Sequence, residues 1–145
     1  MLIKPKSLFF SIVITLGCII STSSWADCDG GHPIEGKNGT KYCLSKIGMN
    51  WWSAFAWCES QSMKLGNLTD LCYISEEKRW LGGTGAGACP NIVGAYTGNV
   101  FAWTEVGTST TVARVINPNS GTLNSFGKAD SGKHAMCAPK KTNTQ

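Results

Sequence analysis

Six cysteines in a chain that carries an export signal constrain this fold more than any other feature. The 145-residue sequence contains seven cysteines. One of them, Cys18, falls inside an N-terminal segment with the layout of a secretory signal peptide. Lys4 and Lys6 form its basic start, Leu8 to Ile20 its apolar run, and Ser24-Trp25-Ala26 the small residues before a cleavage point after Ala26. The apolar run is short of the roughly 20 residues a membrane span needs. Lipidation at Cys18 is disfavoured, because Thr15 rather than Leu stands three residues before it. The expected organisation is a signal peptide over 1–26 and a single domain over 27–145. Removing Cys18 leaves Cys28, Cys43, Cys58, Cys72, Cys89 and Cys137, an even set in an oxidising compartment. Three disulfides follow as the default, although spacing alone does not choose among the pairings. A zinc site is the competing use of these residues. It lacks support: there is no CxxC, and the only histidines are His32 and His134. Cys28 and His32 are four apart, but nothing nearby completes a tetrahedral set.

Charge narrows the partners. Without Lys4 and Lys6 the chain has 11 Lys and Arg against 9 Asp and Glu, a net of +2 with no clustering. Such a balance argues against nucleic acid. No second apolar stretch reaches membrane-spanning length. A charged fraction of 15% with 17 glycines fits a small, loop-rich, disulfide-held domain, secreted, periplasmic or displayed at the cell surface.

Along the chain the elements follow an α+β order. Asp27 to Asn38 is turn-rich, and Thr40 to Ile47 reads as a strand with Tyr42 and Leu44 on one face. Asn50 is a suitable N-cap for a helix over Trp51 to Gln61, with Trp51, Phe55 and Cys58 as its buried stripe. Met63 to Leu68 is a short segment. Ser75 with Glu76-Glu77 suits the start of a second helix continuing through Leu81. Gly82 to Gly87 is a flexible loop without the spacing of a dinucleotide fingerprint. Val100 to Val106 reads as a strand. Val112 to Ile116 and Thr122 to Phe126 read as a hairpin turning at Asn117-Pro118-Asn119-Ser120-Gly121. His134 to Ala138 is the last strand, and Lys140 to Gln145 a solvated tail.

Tyr42-Cys43, the run Met49-Asn50-Trp51-Trp52-Ser53-Ala54-Phe55-Ala56-Trp57-Cys58 and Met63-Lys64-Leu65 together resemble the opening of a C-type lectin-like domain. Phe101-Ala102-Trp103-Thr104-Glu105 is similar to that family's Trp-Asn-Asp segment, and His134-Ala135-Met136-Cys137 to its closing strand. The resemblance implies an α+β fold with two helices, small antiparallel sheets and a long loop region. It implies a bridge from Cys58 to Cys137 and one from Cys28 to Cys43, which leaves Cys72 with Cys89. In the chain-entropy picture the longest bridge contributes roughly 4–5 kcal/mol and the shorter two about 3 kcal/mol each. The sequence departs from the family at its calcium motifs. Thr104 stands for the Asn, Glu105 is longer than the Asp, and no Glu-Pro-Asn or Gln-Pro-Asp triplet precedes Trp103. No cofactor is therefore expected; a calcium-dependent lectin is the alternative.

The resulting expectation is a non-catalytic binding module for a cell-surface glycan or protein, adhesin-like or an accessory surface subunit. Tyr96, Asn99, Trp103 and Glu105 are its candidate contact residues, and Thr108 and Thr110 lie in similar loop-like stretches. The helix tryptophans are expected in the core. An enzyme is not expected: there is no G-x-S-x-G, and no pair of carboxylates stands out. A secreted hydrolase is a further alternative, with His134 read as structural. Asn38-Gly39-Thr40 and Asn67-Leu68-Thr69 are glycosylation sequons, relevant only in a glycosylating cell.

Overall fold

Strand alternation decides the architecture. In the computed structural model, which describes residues 28–74 and 82–141, the strands β2 (Lys41–Ser45) and β7 (His134–Ala138) are buried almost throughout. A strand buried at successive positions needs cover on both faces of its sheet. Tyr42, Leu44, Met136 and Ala138 enter one core cluster with Ile34, Leu71, Ile92, Ala102, Ile116 and Leu123. Their neighbours in sequence, Cys43, Ala135 and Cys137, enter the other with Ala54, Cys58, Leu65, Trp103 and Val115. The expected pairing of Tyr42 with Leu44 on one face holds.

The remaining strands are β1 (Gly31–Glu35), β3 (Lys64–Leu65), β4 (Ala102–Gly107), β5 (Val112–Ile116) and β6 (Leu123–Gly127). They form one seven-stranded sheet in the order β1-β2-β7-β4-β5-β6, with β3 also paired to β7. This differs from the expected small antiparallel sheets, because β4 and β7 are parallel, with Ala102 opposite His134 and Trp103 opposite Ala135. The reason lies in the connection 128–133. It leaves β6 and crosses beside the start of the first helix, where the Trp51 N–H donates to Lys128 O and the Met49 N–H to Lys133 O. Strand β7 then enters between β2 and β4, running with β4.

The turn-rich reading of Asp27 to Asn38 is also corrected, since Gly31–Glu35 pairs with β2. Its Pro33 is tolerated because β1 is an edge strand, where one row of N–H groups has no partner. Gly31 is required for a different reason: a Cβ there would stand 2.6 Å from the Cys28 sulfur and 2.7 Å from that of Cys43.

Helix α1 (Trp51–Ser60) starts as expected, with the Asn50 side chain accepting from the Ser53 N–H. Its fully buried line is Ala54 and Cys58; Trp51 and Phe55 flank it half-buried. Trp52 is 54% exposed, contrary to the core position expected of it. Helix α2 (Leu68–Cys72), capped by Asn67, occupies a place where no helix was expected. The helix expected from Ser75 through Leu81 lies outside the described residues, as does the signal segment.

Three disulfides join Cys28 to Cys43, Cys58 to Cys137 and Cys72 to Cys89, the pairing that the resemblance implies. Cys43 and Cys137 are directly opposite across β2 and β7, so their side chains share a face. Two bridges therefore stack side by side under α1. The third ties the end of α2 to a 3₁₀ turn, Pro90–Ile92.

Candidate binding surface

The long loop 82–101 has little regular structure of its own, yet it is fastened along its length. The Gly87 N–H donates to Ser120 O, Cys89 N–H to Gly121 O and Gly94 N–H to Asn119 O, so the loop zips onto the tip of the β5–β6 hairpin. The tip itself is rigid: Asn117 Oδ1 accepts from the N–H groups of Asn119 and Ser120. From inside, Asn91 anchors the loop. Fully buried, it donates to Leu71 O at 3.0 Å and to the Tyr42 hydroxyl at 3.1 Å, and accepts from the Asn38 N–H at 2.8 Å.

This scaffold presents Tyr96 and Asn99. The Tyr96 ring packs against His32, centroids 5.2 Å apart, and its bulk leaves no room for a Cβ at Gly98. The Asn99 Oδ1 accepts from Asn117 Nδ2 at 2.9 Å while its side chain stays at the surface. Tyr96 and Asn99 are thus brought together at the loop end of the molecule, with His32 as a member that sequence reading missed.

The other two candidates lie elsewhere. Trp103 is fully buried; its indole N–H donates to Met49 O at 2.7 Å and no face is open to a ligand. Its place in the contact set is therefore corrected to the core. Glu105 is exposed on β4, its N–H donating to Gly66 O, and no contact among the described residues joins it to Tyr96 or Asn99. Thr108 and Thr110 are exposed in the β4–β5 turn.

Calcium does not fit the residues at the Trp-Thr-Glu segment. Thr104 is fully buried and its hydroxyl donates to Arg114 O, which removes it as a ligand and leaves Glu105 alone. Among the described residues no three His, Cys, Asp or Glu side chains converge. The histidines have other tasks. The His134 Nδ1 lies 2.6 Å from Ser45 O, and an acceptor there fixes the proton on that nitrogen.

A second group of aromatics borders α1. The Trp51 indole N–H donates to Thr104 O at 2.9 Å, and Trp52 meets Trp51 edge to face with centroids 6.1 Å apart. The Lys128 ammonium lies 4.0 Å above the Trp51 ring, and Lys133 lies 4.2 Å from the Phe126 ring. Lys133 is steadied by Asp130, whose carboxyl is held below its ordinary value by the Lys133 hydrogen bond and then the Gly132 N–H.

No helix among the described residues is long and apolar enough to cross a membrane. No protein-family model matches the chain, and no curated protein shows significant sequence similarity to it.

Proposed function

We propose that the chain is a secreted, non-catalytic binding module, a divergent C-type lectin-like domain that recognises a cell-surface glycan or protein as an adhesin-like or accessory subunit. The observation that carries this reading is the fastened loop 82–101. A long segment with only a single 3₁₀ turn of its own among the described residues, ordered by a bridge, a buried amide and a hairpin tip, is how rigid scaffolds hold contact residues. Three disulfides fit an extracellular setting. The bridge from the first helix to the last strand supports the lectin-like reading. Tyr96, its ring packed at a tilt against His32, supplies an amphipathic anchor suited to a sugar face or an interface.

The test is binding of the mature protein to a broad glycan panel, in calcium and in EDTA, beside a pull-down from surface extracts. Saturable binding that ignores EDTA and weakens about tenfold or more in Tyr96→Ala, with the melting temperature held, is the expected result. Binding abolished by EDTA would overturn the calcium-free reading. Binding unchanged in Tyr96→Ala would remove the loop end as the surface. Absence of both glycan and protein binding would refute the module altogether.

A further inference from the structure

We infer that the start of α1 carries a second site, separate from the loop end, for a carboxylate-bearing sugar residue. Two observations meet there. Lys128 is a charged side chain only 8% exposed, yet no carboxylate among the described residues pairs with its ammonium. With its stem buried and no counter-charge beside it, this ammonium on an aromatic face is open to an anion. Second, the ammonium sits on the Trp51 ring beside Gly107, where a Cβ would stand 3.1 Å from Nζ, so the missing side chain keeps its approach clear.

Trp52 supplies the other half of the recognition. It is one of two large hydrophobic residues exposed among the described residues, and its ring is 6.1 Å from the one that carries Lys128. A flat, open indole receives the C–H face of a pyranose. The ammonium, seated on the ring that Trp52 meets, receives a carboxylate of the same sugar residue through a charge-assisted hydrogen bond. One cation and one platform match one acidic sugar ring better than an extended acidic peptide, which would need several cations in a row.

Trigalacturonic acid and its methyl ester are the probes, titrated into the wild-type protein by calorimetry at low and at physiological salt. The acid is expected to bind about tenfold or more tighter than the ester, with the gap narrowing as salt rises. Lys128→Met, which keeps an apolar stem on Trp51, should erase the gap, and Trp52→Ala should weaken both ligands. Near-ultraviolet circular dichroism checks that each variant is folded, and the acid–ester comparison on the wild type needs no variant at all. Equal binding of acid and ester, or an unchanged gap in Lys128→Met, overturns the inference. So does binding of a hexaglutamate peptide without binding of the sugar acid. The loop-end reading is tested by Tyr96→Ala, so either site can fail without the other.

Discussion

Removing the amide of Asn91 should destabilise the protein by about 3 kcal/mol. The side chain is fully buried and makes three hydrogen bonds, to the Asn38 N–H, the Tyr42 hydroxyl and the Leu71 carbonyl. Each contributes about 1 kcal/mol net, and truncation leaves the partners without their bond. Asn91→Ala is therefore expected to lower the melting temperature by roughly 10–15 °C for a domain of this size. It should also shift the urea midpoint without changing the slope, followed by tryptophan fluorescence with the disulfides intact. Asn91→Asp sharpens the test, because shape and the acceptor for Asn38 are kept while both donated bonds are lost. The Tyr42 hydroxyl already donates to Asp70 O, so it faces the new carboxylate as a poor partner. Burial raises the folded-state pKa of an aspartate here. Its penalty is then absent at low pH and grows as pH rises above the unfolded value of about 3.9. A loss below about 1 kcal/mol in Asn91→Ala, or an Asn91→Asp protein as stable as wild type at pH 7, would refute the anchoring role.

Three further outcomes are expected. Replacing Cys58 and Cys137 together by Ala should cost about 4–5 kcal/mol, because that bridge closes a 79-residue separation. Replacing Cys28 and Cys43, separated by 15, should cost about 3 kcal/mol. The reverse order in urea unfolding would show that native packing rather than chain entropy sets the ranking. The Asp130 carboxyl should titrate below 3.8 in a carbon-detected NMR experiment, because Lys133 and the Gly132 N–H favour its charged form. A lowered folded pKa contributes stability that is present above the unfolded value and is lost as pH falls through the folded one. Asp130→Asn removes that contribution. A midpoint at or above 3.8 would mean the Lys133 contact does not persist in solution.

The strands with clear alternation were legible. Val112–Ile116 and Leu123–Gly127 lie within a residue of where the pattern puts them, and the hairpin turns at Asn117 as its residues predict; His134–Ala138 lies where it was expected although it is buried at successive positions. The α1 start was legible from Asn50, because a cap is a local interaction. Less was legible where distant partners decide. Gly31–Glu35 has weak strand propensity and is extended because Lys41–Ser45 supplies its ladder. The parallel entry of β7 depends on where the connection 128–133 crosses, which no local pattern records. The five-residue α2 is too short to announce itself by periodicity, and its stability comes from Leu68 and Leu71 in the core and from the Cys72 bridge.

The candidate surfaces were legible only in part, and Trp52 shows why. Trp51, Phe55 and Cys58 share a helical stripe by spacing alone, and the adjacent Trp52 has no assigned direction until the rotation of the helix is known. The bridge to β7 supplies that rotation. Cys58 must point at Cys137, and Ala54, one turn earlier, then faces the sheet with it. At about 100° per residue Trp52 lies roughly 120° round from Cys58 and turns to solvent, whereas Trp51 lies within about 20° of it. Trp51 is still only half-buried, because the first turn of α1 reaches the border of the sheet, where its indole bonds Thr104 and supports Lys128. The exposed tryptophan is thus a geometric consequence of the disulfide. The pairing implied by the resemblance already contained this information, had the helix been rotated to satisfy it. Lys128 had no such signal: it enters the site from a connection that is ordered by contacts with Met49 and Trp51, far away in sequence.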